Sequence, residues 1–68
     1  MKFGERVLQA RSKLSLSQID LAQELGVTNV TISRWENEKS HPTKRQLATF
    51  LLFCKKHRLV FDEETIDD

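Results

Sequence analysis

Apolar residues recur at the helical period through most of the chain. Phe3, Val7, Ala10 and Leu14 fall at i, i+4, i+7 and i+11, one stripe that predicts a helix over about 3–13. Leu21, Ala22 and Leu25 form a second, shorter face. Gly26 breaks it, as a residue that takes positive φ without steric penalty. Thr28 then serves as an N-cap, and Ile32 and Trp35 supply the next buried face at i, i+3, while Asn29, Thr31, Ser33 and Arg34 make a polar row. Ser17 with Asp20 and Thr43 with Gln46 have capping-box spacing, so helices start after each. The last helix runs to about His57, with Lys55, Lys56 and His57 suited to its C-terminal dipole. Leu47, Phe50, Leu51 and Cys54 are its expected core row. The expected architecture is all-α, a compact domain of four to five helices.

Ser17 to Asn37, SQIDLAQELGVTNVTISRWEN, thus reads as two short helices joined by a tight turn containing Gly. That is the form of a helix-turn-helix, whose second helix enters the DNA major groove. The segment resembles the phage-repressor type, the Cro/cI or Xre-like family. The matching pieces, in order, are Leu16-Ser17-Gln18, Leu21-Ala22, Leu25-Gly26-Val27 and Ile32-Ser33-Arg34-Trp35-Glu36-Asn37, followed by Lys39 and Pro42-Thr43. The resemblance spans roughly Gly4 to His57 and implies a partner, double-stranded DNA.

On that expectation, bases are read by Asn29, Val30, Thr31 and Arg34 on the outward face of the second helix of the unit. Asn29 offers an amide for adenine, Val30 a surface for a thymine methyl, and Arg34 a guanidinium that fits guanine O6 and N7. Phosphate contacts are expected from Gln18, Thr28, Ser33, Asn37, Lys39, Ser40 and Lys44, with Arg45 beside them. Gln18 at its helix start and the Asn37–Ser40 loop match the family's two backbone clamps. The resemblance also implies an ion pair between Arg11 and Glu36. Two positions depart from the family's pattern: Ser15 and Glu38 stand where Gly is frequent. Glu38 would bear the strain of a left-handed backbone and put a negative charge near the clamp. Trp35 raises base stacking as an option, but its spacing from Ile32 turns it inward.

Charge sharpens this picture. The net charge is only +1, yet residues 1–58 hold all 11 Lys and Arg with five of the ten acidic residues, a balance of +6. Residues 59–68 hold the other five acidic residues, Asp62, Glu63, Glu64, Asp67 and Asp68. A basic unit (1–58) suited to phosphates is therefore followed by an acidic arm or tail (59–68). Leu59-Val60-Phe61 is β-prone and reads either as a short extended arm or as the approach to a helical turn from Asp62. At 68 residues, with 38% hydrophobic and 31% charged positions, one small globular domain is expected.

Nothing resembles a catalytic motif, so the expectation is a non-enzyme without cofactor. Cys54 and His57 lie at i, i+3, but two ligands do not make a structural zinc site, and no metal is expected. Cys54 falls in an apolar row and is expected to be a buried, reduced thiol. The longest apolar run, Phe50 to Cys54, is too short to span a membrane, and Met1 to Arg6 does not read as a secretory leader. Together these point to the cytoplasm. Leu8, Leu52, Phe53 and Phe61 lack an evident core partner and are expected to form a homodimer contact. The functional expectation is a homodimeric, sequence-specific transcriptional regulator. The alternatives are an antitoxin-like module whose C-terminal arm binds a protein partner, and the DNA-targeting domain of a larger assembly.

Overall fold

The computed structural model describes residues 1–61, whose regular elements are all helices. Four helices occur among them: α1 (Phe3–Leu14), α2 (Gln18–Leu25), α3 (Asn29–Glu36) and α4 (Lys44–Lys56). The expected starts hold at the level of atoms. The Ser17 hydroxyl accepts the Asp20 N–H at 3.0 Å and the Asp20 carboxylate accepts the Ser17 N–H at 3.2 Å. Thr43 and Gln46 exchange the same pair of bonds at 3.1 and 2.9 Å. Thr28 caps α3 by accepting the Thr31 N–H at 3.1 Å. Each bond satisfies an amide that the helix itself leaves without a partner.

The four helices also end alike. A residue with left-handed backbone follows each: Ser15 (φ 56°), Gly26 (φ 71°), Glu38 (φ 57°) and Arg58 (φ 54°). In every case the next N–H bonds back to a carbonyl five residues earlier: Leu16 to Arg11, Val27 to Ala22, Lys39 to Arg34 and Leu59 to Cys54. This is the Schellman pattern, for which glycine is the usual residue. Only Gly26 meets that preference. It is needed for its φ alone, since a Cβ built there would meet nothing.

α3 packs on both α1 and α2, and α2 packs on α4. The core between them holds Val7, Ala10, Leu21, Ile32, Trp35 and Phe50. Trp35 is an anchor rather than a stacking platform: it is fully buried, and the Phe3 ring meets it edge-on at 5.2 Å. The same Phe3 ring also meets Phe50 edge-on at 5.2 Å, which ties α1, α3 and α4 together.

α4 corrects part of the sequence expectation. Leu47 and Leu51, expected inside, are exposed, whereas Phe53, expected at a dimer contact, is only 6% exposed and belongs to the core. The inward arc is Phe50, Phe53 and Cys54 at i, i+3 and i+4. Five consecutive apolar residues go all round a helix, so periodicity could not choose the arc. Packing against the core decides it: Phe50 meets the Phe3 ring of α1, and Phe53 and Cys54 join the same buried cluster, while Phe53 also lies 4.5 Å from the exposed imidazole of His57 one turn on.

Beyond α4, Leu59, Val60 and Phe61 form neither helix nor strand. Leu59 and Phe61 are partly buried against the core, and Phe61 lies under the buried Arg6 guanidinium, 5.4 Å from the ring centre. Whether a helical turn follows from Asp62, and the acidic tail as a whole, lie outside the described residues.

Candidate nucleic-acid interface

α3 is short enough that its two faces are readily separated. Ile32 and Trp35 point into the core; Asn29, Val30 and Arg34 are exposed. Val30 is 55% exposed, a large apolar side chain held in water on a helix whose other face is fully buried. Arg34 stands one turn from it at i, i+4, so both project from one side. Thr31 is less available. Its hydroxyl lies 3.0 Å from that of Thr28 and its N–H is the one Thr28 caps.

The expected phosphate-binding residues divide into groups that structure other parts of the site and groups that extend from it. Asn37 follows α3 and folds its amide back to donate to the Ser33 carbonyl at 2.8 Å, with the Ser33 hydroxyl at 3.5 Å. Thr28 is occupied by capping. Lys39 and Lys44 are exposed, as is Arg45, and Ser40 is partly buried. The basic side chains at the end of α3 and the start of α4 therefore face solvent.

Gln18 has a role that its spacing did not reveal. Its Nε2 donates to Glu36 Oε1 at 3.0 Å. The same carboxylate is gripped by Arg11, whose Nε reaches Oε2 at 2.7 Å and whose second terminal nitrogen reaches Oε1 at 3.1 Å. Arg11 also donates to the Leu16 carbonyl at 3.2 Å. One network thus joins α1, the α1–α2 turn, the first residue of α2 and the last residue of α3. Its geometry is bidentate, with the Glu36 side chain 9% and the Arg11 side chain 20% exposed. Donating to the Glu36 carboxylate raises the Arg11 pKa above its ordinary value, outweighing the opposing effect of burial. The Gln18 amide carries a second hydrogen beyond the one it gives to Glu36.

Glu38 was the other surprise. Its carboxylate does not face the clamp as a loose charge; Oε2 accepts the Gly4 N–H at 2.9 Å.

The family profile described as Helix-turn-helix matches residues 7–57. The chain belongs to this helix-turn-helix family. It is similar to repressor protein C2 of Salmonella phage P22, 41% identical over 44 residues, covering 65% of this chain and 20% of that protein. It is similar also to the HTH-type transcriptional regulator DicA of Escherichia coli (strain K12), 32% identical over 66 residues, covering 94% of this chain and 49% of that one. A third relative is the HTH-type transcriptional activator BcrR of Enterococcus faecalis, 38% identical over 47 residues, covering 69% and 23%. The chain spans half or less of the length of these curated relatives. No solved structure matches it at a significant level. In this helix-turn-helix chain α2 and α3 are the paired helices, and the profile also takes in the loop and α4 up to His57.

Proposed function

We propose that this chain binds double-stranded DNA sequence-specifically and regulates transcription as a homodimer. The observation that carries the reading is the outward face of α3. A half-exposed valine and an exposed arginine, one turn apart, suit a thymine methyl and a guanine edge better than they suit water. Lys39, Lys44 and Arg45, exposed in the loop after α3 and at the start of α4, suit phosphates bordering such a groove. In this reading Asn29 and Thr31 stand at the groove edge, while Gln18 and the Asn37–Ser40 loop contact the backbone. The membership of the helix-turn-helix family and the relatives' names, a repressor, a regulator and an activator, support regulation. They differ on its sign, which forms no part of the proposal. Among the described residues no helix is long and apolar enough to cross a membrane, in keeping with action on DNA.

A single domain covers little DNA, so two-fold binding to an inverted repeat supports specificity. Leu52, 67% exposed on α4, and Leu8 on α1 are the apolar side chains offered for the dimer contact. Selection of bound sequences from a random duplex pool tests the whole reading. Enrichment of an inverted repeat with a constant half-site spacing is expected; recovery of unenriched sequence would overturn it.

A further inference from the structure

We infer that Glu38 is a positioning residue, a latch that ties the loop after α3 to the first turn of α1 and so holds Lys39 and Ser40 in place. The inference rests on the DNA-binding reading and deepens it. Three observations converge on this contact. Glu38 is left-handed at φ 57°, a conformation that costs any residue with a Cβ and that many sequences would assign to glycine. Its carboxylate accepts the Gly4 N–H, one of the amides that α1 cannot satisfy itself, across 34 positions of sequence. And Gly4 is a glycine for want of space: a Cβ there would run into the Trp35 carbonyl oxygen and the Glu38 carboxylate, and would crowd the Glu36 Cα at 3.1 Å.

The start of α1 is thereby laid against the end of α3. A positive helix end meets a negative one, with a carboxylate between them to accept the free N–H. Gly4 admits the close approach, and the Phe3 ring beside it seats on Trp35. On the other side of Glu38, the Lys39 N–H bonds to the Arg34 carbonyl at 2.8 Å. The latch therefore acts at the junction between the base-reading face and the phosphate-facing loop. A bonded carboxylate also explains why an acid is tolerated beside the basic face: its charge is directed toward a helix N-terminus.

The latch predicts the opposite of simple charge arithmetic. Removing an acidic residue next to bound phosphates should by itself tighten DNA binding. Losing the latch should loosen it. Glu38→Gly relieves the backbone but deletes the tether. Glu38→Asn keeps left-handed tolerance with a side chain too short to reach Gly4, and stands in if the glycine variant does not fold. Glu38→Gln keeps an acceptor of the same length. Each is titrated with the duplex enriched by the wild-type chain at several salt concentrations, and amide exchange of Gly4 and Lys39 is followed by NMR.

The expected result is about tenfold weaker binding for Glu38→Gly or Glu38→Asn, comparable to one charge-assisted hydrogen bond. The salt slope should also become shallower by about 0.9, one phosphate contact. Gly4 exchange should accelerate in both, and Glu38→Gln should bind at least as tightly as wild type. Unchanged or tighter binding by the glycine and asparagine variants, or unchanged Gly4 exchange, would overturn the latch. A wild-type chain that binds no duplex would instead sink the DNA-binding reading, and the exchange data would still decide the contact.

Discussion

Replacing Glu36 by Gln tests how far the fold depends on the network at the end of α3. The substitution keeps the shape of the side chain and removes its charge. Three donors converge on that carboxylate: two from Arg11 and one from Gln18, at 2.7 to 3.1 Å. The amide keeps one acceptor oxygen where the carboxylate offered two, so Arg11 retains the Leu16 carbonyl and at most one oxygen of residue 36, and its charge loses its counter-charge. Breaking a deeply buried pair costs roughly 3–5 kcal/mol, chiefly because a charge is left without compensation. Here the Arg11 side chain is 20% exposed, so water recovers part of that loss, and about 2–3 kcal/mol is the expected figure.

A domain of 68 residues has in all roughly 3–10 kcal/mol of stability. At about 4–8 °C per kcal/mol for a domain of this size, the melting temperature should fall by roughly 10–20 °C, read by circular dichroism. Arg11→Met should do similar damage. Converting both partners, Arg11→Met with Glu36→Leu, should recover stability relative to either single change, since no lone charge is then buried. The pH dependence carries a sign. The raised Arg11 pKa means its contribution is fully present below the ordinary value of an unfolded arginine and is lost only as pH rises through the still higher folded value. The gap between wild type and Glu36→Gln should therefore stay constant from pH 7 to 10. A melting temperature within about 3 °C of wild type for Glu36→Gln would refute the argument.

Other substitutions separate positions that look alike in sequence. Phe53→Ala should destabilise by about 3–5 kcal/mol and Leu52→Ala by about 0.5 kcal/mol or less, measured by urea unfolding of the two variants side by side. Ser15→Gly and Arg58→Gly should each stabilise by roughly 0.5–1 kcal/mol, seen as higher melting temperatures, because each relieves a left-handed residue with a Cβ. Burial pushes the Cys54 thiol up from 9.0 to about 11, against a smaller opposing pull from Arg6. Above pH 9 the unfolded thiol ionises while the folded one does not, so stability should decline between pH 9 and 11, and Cys54→Ala should flatten that part of the profile. Arg34→Ala should weaken binding to the enriched duplex by about 1–3 kcal/mol and leave random duplex nearly unaffected in a competition titration.

The sequence by itself determined the helices, their starts and the pairing of α2 with α3. These are local matters. A capping hydroxyl meets an amide two or three residues away, and an apolar stripe at i, i+3 and i+4 specifies a buried face wherever the opposite face is polar. Ser17, Thr28 and Thr43 were therefore legible as starts, and Ile32 and Trp35 as the inward side of α3, which left Asn29, Val30 and Arg34 outward. The left-handed demand on Glu38 was legible only through the family resemblance, which puts Gly at that position. Tertiary structure decided what local rules leave degenerate. The run Phe50 to Cys54 is apolar on every side, so only packing against the rest of the core, the Phe3 ring included, could put Phe53 inside and turn Leu47 and Leu51 out. Gln18 and Glu36, 18 residues apart, and Gly4 and Glu38, 34 apart, meet only because α1, α2 and the end of α3 are brought together by the core. No periodicity encodes such contacts: their partners are chosen by how the helices cross, and that is a property of the assembled core.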